Sequence, residues 1–352
     1  MPRWEEALDA QLEFTARLGS NPTERAHVRE VISDMYSMRR DPGDHRRLSL
    51  GMSESQIRDF PDRIAAYAYN ADAVYVDPDM MTIWENSIEG FQPEPLVAQD
   101  LIAPAGFLWL PRPYMKNDVH GKKVSVRALL WHPVPIGVEA PPKEQWEEKE
   151  WDPDASAIQS KIGGYRMPVT KDADGRLTTD GIFFCELHHK DDTDDYTSMN
   201  AAYEPPGLHV AHAIPWAYGT VFERDAAEAP LINDSILAYQ ALWRLMQMTI
   251  AERGQHFPDR GTRRRLAREK WPEREITVIR LRRHEPPREK SDDPKVINWT
   301  HRWIVGGAHG FWRNQWYASI GMHRQILVGP YVKGPADLPL MRKKGRVFEL
   351  VD

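Results

Sequence analysis

The sequence has a single cysteine, Cys185, so no intrachain disulfide can close and no zinc site built on paired cysteines can form. It has no apolar run near the roughly 20 residues that cross a bilayer as a helix. Residues 1–6 place Trp4, Glu5 and Glu6 where a secretory leader carries basic residues and then an apolar stretch. These absences lead to the expectation of a reducing compartment, the cytoplasm, without membrane insertion. The phosphate-cradling pattern GxxxxGK[ST] is missing, as is a GxGxxG after a strand. The run Gly306-Gly307-Ala308-His309-Gly310 is rich in glycine but lies between strand patterns, with no helix pattern after it. Asp172-Ala173-Asp174-Gly175 begins like a calcium loop, yet Arg176 stands at its fifth position and no Glu at its twelfth, which leaves a tight hairpin turn. Neither internal repeats nor long linkers are present.

What is present suits a large core. The chain has 352 residues, 41% hydrophobic and 28% charged, enough for one extended core or two packed domains. The net charge of −6 conceals an asymmetry. Residues 253–352 hold 22 basic and 11 acidic side chains, a net of +11, whereas residues 1–252 hold 24 and 41, a net of −17. A basic segment on an acidic body suggests a surface for a polyanion, unless the two parts neutralise each other within the fold.

The first 70 residues have helical spacing. Trp4, Leu8, Leu12, Phe14 and Leu18 form a stripe that stops at Gly19. Asn21 is placed to cap the next helix, with Pro22 at its first position, Glu24 at the capping-box position, and Val28, Val31, Ile32 and Met35 as its buried face. The run Asp41-Pro42-Gly43-Asp44 breaks it. Ser53 and Gln56 suggest a cap before a short helix over 57–69.

From about residue 71 short apolar runs at 73–76, 107–110, 124–131 and 182–187 alternate with Pro, Gly and Asp clusters, which predicts a mostly antiparallel sheet. Residues 138–153, with Pro141, Pro142, Trp146 and Trp151, suggest an exposed excursion. Residues 234–253 predict a helix capped by Asn233 or Asp234 and ended by Gly254, apolar nearly all round and therefore central. Arg263-Arg264-Arg265 with Arg268 and Lys270 follow, then a strand at 276–281 and a charged, proline-rich loop at 285–294. The fold class is α+β, in three regions: helical 1–70, an α+β core at 71–254, and a basic β-rich unit at 255–352 packed on the core.

Metal and cofactor chemistry finds little support. His188 and His189 with Asp191, Asp192, Asp194 and Asp195 read as a solvated acidic loop. His209 and His212, three apart on a strand, point to opposite faces. Neither a metal nor a cofactor is expected.

The C-terminal block is different in kind. Trp299, Trp303, Trp312 and Trp316 place four of 13 tryptophans within 18 residues. On strands over 299–305 and 311–317, Trp299, His301, Trp303 and Val305 share one face, and so do Trp312, Asn314 and Trp316, with Arg313, Gln315 and Tyr317 on the reverse. His323 and Arg324 lead into a return strand at 326–328, and Lys333 closes the unit. Such a surface stacks bases and holds phosphates, or clamps an extended peptide; alternatively the tryptophans are a small core rimmed by arginine.

This block also carries a resemblance. His301-Arg302-Trp303-Ile304-Val305-Gly306-Gly307, then His309, Trp312-Arg313, Tyr317, the return strand at 325–328 and Tyr331-Val332-Lys333-Gly334 resemble the C-terminal signature of a family of phage and mobile-element proteins, the type V-A anti-CRISPR inhibitors of nuclease biogenesis. The upstream order is similar: a helical start, the strand Val74-Tyr75-Val76-Asp77, and an apolar helix before a basic linker. In that family His and Trp are adjacent, whereas here Gly310 and Phe311 separate His309 from Trp312. The resemblance implies a countermeasure against a host defence, acting on production of the target through its nascent chain and message.

Two functions follow. In the first, the chain binds RNA, a ribonucleoprotein or a nascent polypeptide, without catalysis, through Arg263, Arg264, Arg265, Arg302, Trp303, His309, Trp312, Arg313, Gln315, Tyr317, Arg324 and Lys333. In the second, it is a metal-independent RNase in which His309, Arg313, Tyr317, His323 and Lys333 supply base, acid and cation.

Overall fold

The computed structural model describes residues 4–38, 48–49, 58–117, 123–138, 157–159, 166–168, 170–171, 177–189, 207–219, 230–282, 303–305, 310–318 and 322–333. Its helices are α1 (Glu5–Ser20), α2 (Pro22–Met38), α3 (Phe60–Asn70), α4 (Pro78–Ser87), α5 (Pro230–Met246) and α6 (Arg260–Arg268). The strands are β1 (Leu48–Ser49), β2 (Asp72–Val76), β3 (Gly106–Asn117), β4 (Lys123–Val138), β5 (Ala157–Gln159), β6 (Arg166–Pro168), β7 (Thr170–Lys171), β8 (Leu177–His189), β9 (Leu208–Ala217), β10 (Ala251–His256), β11 (Ile276–Leu281), β12 (Trp303–Val305), β13 (Phe311–Tyr317), β14 (Met322–Val328) and β15 (Tyr331–Lys333).

Nine strands make one sheet in the order β10-β11-β2-β3-β4-β8-β7, with β1 on β4 and β9 on β8. Only β11–β2 and β2–β3 are parallel in this sheet; its other pairs are antiparallel. The class is α+β, as the sequence predicts. Strand β11, and β10 from Arg253 onward, come from the basic quarter and belong to this main sheet, so part of the +11 segment is built into the acidic body.

Alternation along the strands separates two cores. On one face Val74, Val76, Leu108, Leu129, Phe184 and Ile279 pack under α4 and α5. On the other Ala73, Tyr75, Phe107, Leu130, Phe183 and Val278 pack under α1, α2 and α3. Successive side chains of a strand point to opposite faces, so the near-continuous apolar runs reflect burial on both sides. At the centre the ring of Trp243 on α5 lies 5.5 Å from Trp131, 5.6 Å from Trp216 and 5.8 Å from Phe184. A Cβ on Gly106 would lie 2.2 Å from the Trp131 ring, so β3 needs glycine there.

Three local expectations change. Helix α5 starts earlier and stops at Met246, not Arg253. Gln247 and Met248 donate to the carbonyls of Arg244 and Leu245, tightening the last turn, and the chain then pairs as β10 with β11, where Gly254 lies within the strand. The β-branched pair Thr249 and Ile250 favours that exit, and the ladder with β11 outweighs helical spacing. Second, His188 and His189 are not in a loop: β8 continues through them, His188 opposite His209. His188 is 4% exposed, and burial pulls its imidazole down to about 3. Third, Asn21 does cap α2, its Oδ1 accepting from the N–H groups of Thr23 at 3.0 Å and Glu24 at 3.3 Å, but the reciprocal half is replaced. The Asn21 N–H is used by the Arg17 carbonyl that ends α1, and the Glu24 side chain is buried. The expected exposed excursion at 138–153, the Asp172 turn, the Asp191–Asp195 carboxylates, the proline-rich loop and the Ser53 and Gln56 cap lie outside the described residues, except for Val138. The short helix expected there is α3, which starts at Phe60.

Polar groups inside the fold are arranged as small clusters. Glu186 on β8 is fully buried and accepts from Lys116 Nζ on β3 at 2.6 Å and from Tyr239 on α5 at 2.7 Å, with His212 Nδ1 at 3.7 Å. Burial raises this carboxyl, but Lys116, His212 and the two hydrogen-bond donors outweigh it and bring it to about 2. Its stabilisation is present above the ordinary value of 4.5 and is lost as pH falls toward about 2. One residue, Ala211, is inserted in β9 between the Glu186–His212 and Leu187–Val210 pairs; this bulge breaks the alternation that predicts opposite faces for His209 and His212, because their partners His188 and Glu186 are two apart on β8 and share a face. Among the described residues, no helix is long and apolar enough to cross a membrane, and no His, Cys, Asp and Glu group could hold a metal.

Glu24 behaves in the opposite sense to Glu186. Burial raises its carboxyl to about 7, against the lowering influence of Arg17. In the unfolded chain it ionises near 4.5, so stability declines as pH rises from there to about 7. Glu24→Gln removes that penalty. The difference in thermal midpoint between this variant and the parent is expected to grow from acidic to mildly alkaline buffer; a difference that stays flat across the series contradicts the assignment.

Candidate functional site

The strands β13 and β14 form an antiparallel hairpin separate from the main sheet. Its register places Trp312 opposite Leu327, Asn314 opposite Gln325 and Trp316 opposite His323 on one face. Arg313 with Ile326, Gln315 with Arg324, and Tyr317 with Met322 share the other. The chain enters β13 through Gly310 at φ +81°, where a Cβ would meet the Val328 carbonyl at 2.4 Å.

The base of the hairpin is bound into the core. The Trp312 indole N–H donates to the Ser87 carbonyl at 2.8 Å, and its ring meets Phe91 edge-on at 5.0 Å. Leu327 is buried in the α5 core, its N–H directed at the Met248 sulfur at 3.2 Å. The Gln325 amide works as a surrogate strand: its Oε1 accepts from Gln92 N–H at 3.0 Å and its Nε2 donates to Gln92 O at 2.7 Å.

Beside these contacts lies a four-charge square. Arg244 on α5 reaches Glu94 at 2.9 Å and Asp100 at 3.0 Å. Arg324 on β14 reaches the same carboxylates at 3.4 Å and 3.3 Å. The Arg324 side chain is 3% exposed and Asp100 9%. Glu94 also accepts the Gln325 N–H at 2.8 Å. Burial holds the Asp100 carboxyl above its ordinary value, with Arg244 and Arg324 pulling the other way. The Nε groups of both arginines have no hydrogen-bond partner among the described residues.

Three members of the square, Asp100, Arg244 and Arg324, line a cleft of about 800 Å³ between the hairpin and the end of α5. Gln99, Gln247, Thr249, Gln315 and Tyr317 supply polar groups around it, and Val97, Met248, Ile326 and Leu327 supply apolar ones. That combination of an apolar lining with a few convergent polar groups is typical of a ligand site. Beyond the cleft, the described residues at the far end of the hairpin are exposed. Trp316 is 54% exposed and its ring lies 5.1 Å from that of His323; Tyr317, on the reverse, is 36% exposed, and Arg313 is exposed beside Gln315. A second groove, of about 560 Å³ near Arg112, contains no sequence-predicted site residue, and its Arg112 is paired with Glu85.

Of the residues singled out from sequence, Gln315, Tyr317 and Arg324 come together at the cleft, with Arg313 adjoining. Arg324 is internal, engaged by two carboxylates, and Trp312 is half-buried with its indole used in packing. Arg263, Arg264 and Arg265 lie elsewhere, on α6, whose Leu266 belongs to the core beneath α1, α2 and α3. The sheet thus separates the arginine run from the hairpin, so these two groups of basic residues lie on different surfaces. Lys333 pairs with Trp303 in the small β12–β15 sheet, and Arg302 and His309 lie outside the described residues. Of the set suggested for RNA cleavage, Arg313 and Tyr317 share one face of the hairpin and His323 is on the other, while His309 lies outside the described residues. Sequence reasoning missed Glu94, Asp100 and Arg244. Nothing in their spacing marks them, since the square joins residues from a loop, a 3₁₀ turn, a helix and a strand.

Removing one corner of the square leaves a buried charge poorly compensated. Arg324→Ala is expected to destabilise the protein by about 3–5 kcal/mol, and hydrogen exchange is expected to quicken in the hairpin before the main sheet. Unchanged hairpin protection in that variant contradicts the clamp.

No family model matches the chain, and no curated protein matches it. Among solved structures, the crystal structure of AcrVA2 is similar over 93% of this chain and 94% of that chain, at 11% identity and a TM-score of 0.33.

Proposed function

We propose that the chain is a binding protein that engages single-stranded RNA through the hairpin end and the adjoining cleft, and that it lowers production of a host target in the manner its C-terminal signature implies. The observation that carries this reading is the pair of exposed aromatic rings, Trp316 and Tyr317, on opposite sides of one clamped strand, with Arg313 and His323 beside them. Unstacked bases lie on aromatic faces whatever their sequence, and cations beside those faces hold the intervening phosphates. The three glutamines of the cleft offer both donors and acceptors to the edge of a base that enters it.

Trp316 and Tyr317 are exposed, so their replacement leaves the core intact. Trp316→Ala and Tyr317→Ala are each expected to weaken RNA binding by about 1–3 kcal/mol with little change in thermal midpoint. Affinity is expected to fall steeply with salt as counterions are released. In host cells the same variants are expected to restore both the protein and the transcript of the depleted target. Purified protein that binds no RNA at low salt, but captures ribosome-bound nascent chains after RNase treatment, overturns the RNA assignment in favour of a polypeptide partner.

A further inference from the structure

The arginines of α6 form a surface that the position of the run 263–265 in the sequence does not reveal. Asp259 caps this helix, accepting the Thr262 N–H at 2.7 Å, and Thr262 and Leu266 are its buried positions. Arg265 is ion-paired with Asp9, and Arg263 lies 3.5 Å from Glu273. Arg260, Arg264 and Arg268 are different. They follow one another at four-residue steps, so they share one stripe, about 6 Å apart along the axis. All three are exposed, and none has an ion-pair partner among the described residues. That step is close to the separation of successive phosphates in an extended single strand.

The stripe and the cleft are joined by continuous chain. Gln247, Met248 and Thr249 line the cleft on the α5 side of the sheet. The next segment is β10, at the edge of the nine-stranded sheet, with Arg253 and Gln255 at its surface. Phe257, 60% exposed, follows it and precedes α6 on the opposite face. β10 spans about 20 Å and α6 about 14 Å. Across residues 251–282 ten basic side chains stand against five acidic ones, so the edge favours an anion.

We infer that α6 and the β10 edge are a second RNA-contact surface, a phosphate track that takes a strand leaving the cleft around the sheet edge onto Arg260, Arg264 and Arg268. This rests on the RNA reading of the hairpin and adds its direction of travel. The cleft and hairpin hold bases; the stripe holds only backbone, so it adds affinity without sequence preference.

The test uses the full chain with oligouridylates of about 4 and about 16 nucleotides, the range of single-strand site sizes. The triple variant Arg260→Gln, Arg264→Gln, Arg268→Gln is compared with the parent and with Trp316→Ala across a salt series. For the long oligomer, the slope of log affinity against log salt is expected to shrink by about 2 in the triple variant, from three lost phosphate contacts. The short oligomer is expected to bind the parent and the triple variant alike. If the slope for the long oligomer is unchanged while Trp316→Ala weakens binding, the track is wrong and the hairpin reading stands. If the parent binds neither oligomer, both are wrong.

Discussion

Two guanidiniums and two carboxylates, Arg244, Arg324, Glu94 and Asp100, tie the C-terminal hairpin to the central helix. Each carboxylate meets both arginines, so every corner has two opposite charges within reach. Buried charges are tolerated only when paired in this way, because withdrawal from water costs several kcal/mol per ion. The arrangement contributes position more than stability. It fixes where β14 lies, and through the β13–β14 register it fixes which aromatic and cationic side chains reach solvent. Without it, a hairpin of two seven-residue strands is marginal on its own.

The same clamp explains how a tryptophan-rich strand is divided in use. Trp312, at the base, is spent on Ser87 and Phe91, whereas Trp316, four residues further along the same face of the strand, lies past the edge of the core. Packing and exposure are therefore graded along one strand. The cleft is formed at the boundary, where Gln315 and Tyr317 face Gln247 and Thr249 across the ion-paired Asp100, Arg244 and Arg324. A parallel division separates the two basic regions, α6 on one face of the sheet and the hairpin on the other, with β10 between them.

Much of the fold was legible because its signals are local. The Asn21 cap, the strands at 276–281 and 311–317, and the apolar central helix follow from capping chemistry and periodicity that tertiary contacts reinforce. The end of α5 was not legible, since residues 247–253 retain helical spacing; only the turn at 247–250 and the pairing of the chain from Ala251 with β11 end the helix. Burial of His188 was hidden by the acidic residues that follow it. At the site, Gln315 and Tyr317 were visible as part of an alternating aromatic and polar strand. Arg324 was visible as a cation, but its burial was not, because that depends on Glu94 and Asp100, more than 200 residues away. The run 263–265 drew attention by adjacency, whereas helical geometry makes 260, 264 and 268 the exposed stripe and assigns Arg265 to Asp9.

We propose single-stranded RNA as the partner of the clamped hairpin. Ultraviolet crosslinking of single-stranded RNA to the full chain, followed by mapping of the adducts, examines it most directly. Adducts are expected at Trp316, Tyr317 or His323 and in the segment around Gln247–Thr249, and they should vanish when salt is raised. Adducts confined to the acidic body, or none at low salt, would contradict the account.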